Sequence, residues 1–190
     1  MQGAAQRMQA LVGELLTYSR VTSKARPFTR VDLTELARQV LADMDYQIEL
    51  KEADVKLSEL PVVEADPVQM TQLLQNLVGN ALKFHKKDQP PVIRIFTPDA
   101  RSAHQNGMCE VRVADQGIGF DEKYLERIFQ PFQRLHGREE YEGNGMGLAI
   151  CRKILDRHDG TITATSKPGE GSTFIIRMPL RQKQERPGAL

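Results

Sequence analysis

An α+β domain, built as a two-layer α/β sandwich beside one separate amphipathic helix, is the fold class that this sequence predicts. Three observations predict it. Apolar runs of strand length alternate with segments whose apolar residues recur every three or four positions. Glycines cluster at 117–119, directly after one such run, and at 143–147, directly before a helical segment. The segment from Met1 to about Ala25 carries an apolar stripe that nothing else within it can bury. The order of strands and helices suits one helical layer on a mixed sheet, and 190 residues, 40% of them hydrophobic, can enclose a core.

In the first helix Met8, Leu11, Leu15, Tyr18 and Thr22 recur in steps of three and four, and Val12 and Leu16 widen the stripe. It could lie on its own domain. Its coiled-coil spacing and terminal position favour one helix of a dimeric bundle. Pro27 ends this region. Asp32 is placed to cap a second helix running to about Leu50, with Glu35 completing a capping-box pattern. Strands follow at 55–57 and 61–64. Asp66 and Pro67 then open a helix that runs to Lys83, the proline occupying the first helical position. Strands are predicted at 92–97 and 108–114, a short helix at 122–127 and a longer one at 146–157, with Gly160 as its C-terminal stop. A hairpin of 161–166 and 172–178 around Pro168-Gly169-Glu170-Gly171 closes the fold. The polar tail, 181–190, is expected to be disordered.

Composition excludes several functions. With 26 Lys and Arg against 25 Asp and Glu, the net charge is +1, which gives no support for nucleic-acid binding through bulk electrostatics. No apolar run approaches the roughly 18 residues of a membrane helix, and no signal peptide precedes the first charges, so a cytoplasmic location is expected. Cys109 and Cys151 lie far apart, without metal-ligand spacing to His or Cys, and read as free thiols of a reducing compartment.

Three elements carry chemistry. On the helix after Pro67, at about 100° per residue, Gln72, Asn76, Asn80 and Lys83 fall along one line, opposite Met70, Leu74, Leu77, Val78, Ala81 and Leu82. Asparagine in a helix interior is unfavourable relative to alanine or leucine. Its carbonyl is a hard oxygen suited to Mg²⁺, and a lysine one turn on can pair with phosphate. Taken alone, the same residues read more simply as a solvated polar face. At 115–119, Asp115 ends a strand where a carboxylate can accept from an exocyclic amine such as that of adenine, and the glycines after it admit a flat ligand. A capped strand-to-helix turn is the alternative. At 143–148 alternating glycines at a helix N-terminus can cradle phosphates through backbone amides, or serve as a flexible connector.

Together these elements resemble the ATP-binding domain of bacterial sensor histidine kinases, within the larger group that includes gyrase, Hsp90 and MutL. Asn76-Leu77-Val78-Gly79-Asn80-Ala81-Leu82-Lys83-Phe84 is similar to that family's N box. Residues 115–119 resemble its first glycine box, Phe129-Gln130-Pro131-Phe132 its F box, and 143–148 its second glycine box. The four occur in the family's order across most of residues 30–180.

The resemblance implies a Bergerat-type ATP-binding fold over 27–180, preceded at 1–26 by the second helix of the dimerisation bundle. It implies that Asn80 ligates a Mg²⁺ bridging the ATP phosphates, with Asn76 supporting it and Lys83 on the phosphates. Phe84 would border the nucleotide, Asp115 would bind the adenine amine, and Gly117 and Gly119 would shape the base pocket. Residues from about 120 to 145 would form a mobile lid, with Phe129 and Phe132 anchoring it to the core and Arg134 reaching the phosphates. Gly143, Gly145, Gly147 and Leu148 would present backbone to the phosphates. The family transfers the γ-phosphoryl group to a histidine on the first bundle helix and then to an aspartate of a response regulator. His85, His104, His136 and His158 do not lie in such a helix. The chain is therefore expected to be an ATP-dependent protein-histidine kinase piece whose acceptor lies upstream, unable to autophosphorylate alone and self-associating through its first helix. Gyrase-type relatives carry a Glu where Asn76 stands, so hydrolysis should be slow. A serine kinase of the anti-sigma type and a nucleotide-binding scaffold without catalysis are the alternatives. The basic run His85-Lys86-Lys87 reads as a solvated helix terminus.

Overall fold

The computed structural model describes residues 2–23, 25–98, 107–135, 137, 141 and 143–182. A long first helix, α1 (Gln2–Ser23), leads through an extended segment to strand β1 (Thr29–Asp32). Helices α2 (Leu33–Asp43) and α3 (Asp45–Leu50) precede strands β2 (Asp54–Leu57) and β3 (Val62–Ala65), and α4 (Pro67–Lys83) follows. Next come β4 (Val92–Phe96), β5 (Met108–Asp115), a single 3-10 turn (Glu122–Tyr124) and the short α5 (Leu125–Ile128). Helix α6 (Gly147–Arg157) and the hairpin β6 (Thr161–Lys167) and β7 (Gly171–Pro179) complete the described chain.

Five strands form one mixed sheet in the order β2-β4-β5-β7-β6, with only β2 and β4 parallel, and β1 pairs antiparallel with β3 in a separate ribbon. Side chains alternate across each strand, so one face of the sheet collects Ile93, Ile95, Val111, Val113, Phe174 and Ile176. Against that face α4 sets Leu73, Leu74, Leu77 and Leu82, and α6 sets Ile150, Cys151, Ile154 and Leu155, all buried. The helical layer lies on one side of the sheet, as the element order predicts. Both thiols are free and buried, and burial pushes Cys109 up to about 11 and Cys151 to about 12.

Local differences from the sequence reading have physical causes. Strand β1 was not expected, because only Val31 of its four residues is buried and a single apolar position carries no period. The helix predicted through Leu50 breaks at Met44 (φ −101°, ψ 5°), and α3 buries no residue that could hold it on the axis of α2. Asp32 caps α2 by accepting from the Thr34 and Glu35 amides at 2.8 and 3.2 Å, but Glu35 pairs with Arg38 and does not complete the box. Gly160 is not the left-handed stop of α6. Asp159 takes that conformation (φ 50°), and Gly160 is needed because a Cβ there would stand 2.6 Å from the Arg177 carbonyl.

Helix α1 divides in two. Val21 is buried and Tyr18 partly so, whereas Met8, Val12, Leu15 and Leu16 are between 47% and 67% exposed. Its C-terminal part thus lies on its own domain and the rest of the stripe faces outward. Gln182, within the predicted tail, is tied down by Glu64 and by the His158 carbonyl. Residues 183–190, along with His104 and His136, lie outside the described residues. Among the described residues no helix is long and apolar enough to cross a membrane.

Candidate functional site

Helix α4 positions the first wall of the site. Its start is fixed by Asp66, whose Oδ1 accepts from the Val68 and Gln69 amides at 3.0 and 3.3 Å, with Pro67 at the first position. With its apolar face pinned on the sheet, the line of Asn76, Asn80 and Lys83 is turned into a cavity of about 270 Å³. Further walls come from other parts of the chain. Asp115 ends β5, Ile118 to Phe120 follow it, Gln133 to Leu135 and Tyr141 to Leu148 contribute their described residues, and β7 supplies Ser172 and Phe174.

Asp115 sits at the closed end of the sheet register, opposite Ser172. Burial pushes its carboxyl up to about 6, against the opposing effect of hydrogen bonds from Gly117 and Ser172. Its Oδ1 accepts from the Gly117 amide at 2.8 Å. Gly117 lies behind Asp115 and does not line the cavity. Its Cβ would fall 2.3 Å from the Phe84 carbonyl, which also accepts from the Ile118 amide at 2.9 Å. The loop is thereby laced to the end of α4. Gly119 and Gly171 both hold positive φ (60° and 96°), and a Cβ on either would stand 2.1 Å from a backbone oxygen, of Lys167 and of Asp115 respectively. No side chain fits at these two positions without moving the backbone, and at Gly171 that backbone is the acid's own.

The glycine loop and the lid region meet α4 from the opposite side. Gly143, Gly145, Gly147 and Leu148 all line the cavity. No side chain caps the N-terminus of α6, so its first-turn amides stand beside the cavity without such a partner. A Cβ on Gly147 would lie 3.4 Å from Asn76 Oδ1, and one on Gly143 would lie 3.0 Å from Lys83 Nζ. Phe84 also lines the cavity, with its ring 5.0 Å from that of Tyr141 and 4.3 Å from the Lys83 ammonium.

The three lid-region residues differ. Phe129 is a core residue, 2% exposed, with the Arg152 guanidinium 4.7 Å from its ring, which suits an anchor to the core; it does not face the cavity. Phe132 does not anchor the lid region: its left-handed backbone (φ 61°) leaves the side chain 51% exposed. Arg134 lines the cavity, but its guanidinium donates to the carbonyls of Gly137, Tyr141 and Gly143, tying the lid region to itself.

The sequence reading missed Glu14, Ile118, Tyr141, Asn144, Ser172 and Phe174, which also line the cavity. Asn144 sits between two recognised glycines and Ser172 opposite Asp115, so both had a positional signal. Glu14 had none, because it reaches the cavity from α1. The donor set suits a nucleotide and a hard cation. Asn80 offers a carbonyl oxygen, Lys83 a positive charge, and the buried Asn76 Nδ2 and Glu14 Oε2 have no hydrogen-bond partner among the described residues.

Comparison with known proteins bears on this arrangement. Residues 65–182 match the model of the family described as histidine kinase-, DNA gyrase B-, and HSP90-like ATPase. The phytochrome-like protein Cph1 of Synechocystis sp. (strain ATCC 27184 / PCC 6803 / Kazusa) is 42% identical over 91% of this chain, which spans 22% of that protein's length. The nucleotide-free catalytic domain of the histidine kinase ThkA is 30% identical, with a TM-score of 0.68 over 83% of this chain and 100% of its own. ThkA has also been solved with the response regulator TrrA, at 29% identity, a TM-score of 0.70, and coverage of 94% of this chain and 49% of that one. Full-length ShkA in complex with AMPPNP is 25% identical, with a TM-score of 0.76 over 95% of this chain and 37% of that one.

Proposed function

The chain belongs to the histidine kinase-, DNA gyrase B-, and HSP90-like ATPase family and, within it, to the catalytic domains of histidine kinases; from that premise we propose that its cavity holds Mg-ATP and presents the γ-phosphoryl group to a histidine carried on a separate helix. The observation that carries this reading is one cavity gathering Asn76, Asn80 and Lys83 of α4, Asp115 of β5 and the glycines before α6. These residues are scattered over some seventy positions of sequence, from 76 to 148.

In this reading Asp115 accepts from the adenine amine, and Gly117 and Gly119 hold the loop that flanks the base. Lys83, the amides of Gly145 and Gly147 and the start of α6 face the phosphates. Asn80 offers its carbonyl oxygen to Mg²⁺, and Asn76, one turn earlier, supports it. Mg²⁺ when bound would neutralise phosphate charge. Catalysis would then be positioning and electrostatic stabilisation. Asn76 cannot take a proton from water, so this cavity is suited to transfer and not to rapid hydrolysis. ShkA solved with AMPPNP supports the nucleotide, and ThkA solved with TrrA supports a response regulator as the onward acceptor.

Calorimetric titration with ADP and a non-hydrolysable ATP analogue, with and without Mg²⁺, tests the assignment. In Asn80→Ala the gain in affinity that Mg²⁺ gives the wild type should fall by about ten- to hundredfold, the worth of a hydrogen bond or ligand to a charged group. Equal Mg²⁺ dependence in both proteins would remove Asn80 from the metal.

We also assign residues 1–26 to the second helix of a dimerisation bundle, 27–180 to the catalytic domain and 181–190 to a polar tail. The outward stripe of Met8, Val12, Leu15 and Leu16 supports a homodimer through α1 and contact with a histidine-bearing helix. A monomer mass in light scattering at every concentration would contradict the homodimer. Relay in a cytoplasmic two-component pathway goes with the same reading.

A further inference from the structure

Glu14 has no part in the reading above, yet it lines the same cavity as Asn80, Lys83 and Asn144. It comes from α1, which packs on α6. Three contacts hold α1 in place: Val21 is buried, its carbonyl accepts from Gln69 Nε2 at 2.8 Å, and the Lys153 ammonium lies 4.1 Å from the Tyr18 ring. One end of Glu14 is thus committed by a docked helix. The other is a carboxylate whose Oε2 is buried without a hydrogen-bond partner among the described residues. Its neighbours are the side chains of Asn144 and of Lys83, both of which favour its charged form. Burial nevertheless holds its acidity below that of an ordinary glutamate.

A half-buried carboxylate beside a lysine and a glycine-loop asparagine has the negative charge and the acceptor oxygens of a phosphate. We propose that docked α1 uses Glu14 as an internal phosphate surrogate, so that α1 docking and nucleotide phosphates compete for one end of the cavity. The inference rests on the assignment of Lys83 and the glycine loop to the phosphates. Carboxylate and polyphosphate cannot share that end without strong repulsion in a partly desolvated site. Binding of ATP must therefore push Glu14 out and loosen α1, and by linkage a docked α1 must weaken ATP to the same degree. The device couples occupancy of the cavity to the position of the helix that carries the outward apolar stripe. Adenosine, which has no phosphates, lies outside the competition.

The test titrates the whole chain, above neutral pH, with the non-hydrolysable ATP analogue and with adenosine. Glu14→Gln keeps the size and loses the charge. It should bind the analogue about five- to tenfold more tightly than wild type, a coupling of ordinary size, and bind adenosine equally. Tyr18→Ala, which loosens the docked helix and leaves Glu14 in place, should shift the analogue in the same direction. Unchanged analogue affinity in Glu14→Gln would overturn the proposal. Weaker analogue binding confined to Mg²⁺-containing buffer would also overturn it, making Glu14 a metal ligand. If wild type bound neither ligand, the nucleotide reading itself would fall, a result distinct from both.

Discussion

Replacing Asp115 by Asn is expected to weaken adenine-nucleotide binding by about ten- to hundredfold, the range of a hydrogen bond to a charged group. The substitution is nearly isosteric, so the loss comes from donor and acceptor logic. Oδ1 is already occupied by the Gly117 amide at 2.8 Å. An adenine amine therefore needs the second oxygen. Asparagine has only one, and whichever way its amide turns, its NH₂ confronts either the Gly117 N–H or the base. A pH titration isolates the same group. Burial holds Asp115 up at about 6, so in the free protein its contribution to stability is fully present below the ordinary carboxylate value and is lost as pH rises through about 6. A ligand that needs the ionised form works against this. Adenosine affinity, free of phosphate titration, should fall as pH drops through about 6 and should stay flat there in Asp115→Asn. A flat wild-type profile would remove Asp115 from the base pocket.

Much of this arrangement was legible because periodicity and chemistry coincide. In α4 one face must be apolar to cover the sheet, so Asn76, Asn80 and Lys83 at steps of four and three declare the opposite face and the cavity they line. Asp66 with Pro67 marks the helix start independently of any ligand. Glycines at 117–119 and 143–147 mark close approach, although what they approach was hidden. The backbone oxygens of Lys167 and Asp115, which exclude a Cβ at Gly119 and Gly171, come from strands brought together only by the fold. Phe132 went astray, and the contacts of Arg134 were unforeseen, for a related reason. A motif places a residue in the chain, whereas its direction depends on a left-handed φ at Phe132 and on carbonyls that curl around Arg134. Glu14 was unreadable because it faces a cavity belonging to residues sixty and more positions away. His158 carried no pattern at all, yet it is fully buried.

That histidine belongs to a junction whose rupture should have the largest effect on stability. Asp66→Ala is expected to cost about 3–5 kcal/mol, as for the loss of one member of a buried ion pair. The carboxylate, only 2% exposed, holds three elements at once. Its Oδ1 caps α4, a role worth about 0.5–2 kcal/mol alone. Its Oδ2 accepts from the Arg26 amide at 2.8 Å, where the chain leaves α1, and from Arg157 Nη1 at 3.4 Å, at the end of α6. Arg157 in turn donates to Gln69 Oε1 and to the Arg26 carbonyl, at 3.1 and 2.7 Å. The Asp66 amide itself donates to His158 Nε2 at 3.1 Å, which fixes the imidazole as the neutral form with its proton on Nδ1, toward the Ile154 carbonyl. Removing the carboxylate strands the largely buried Arg157 charge and three amides, those of Arg26, Val68 and Gln69. Asp66→Asn keeps an acceptor for the cap and loses the charge, so it should cost roughly half as much. Urea unfolding of the three proteins measures the series. A cost below about 1 kcal/mol for Asp66→Ala would mean that water enters the junction freely and that α1, α4 and α6 are fastened elsewhere. The expected order instead makes this junction the fixed end of α1, from which the helix reaches Glu14 toward the cavity and leaves its apolar stripe outward.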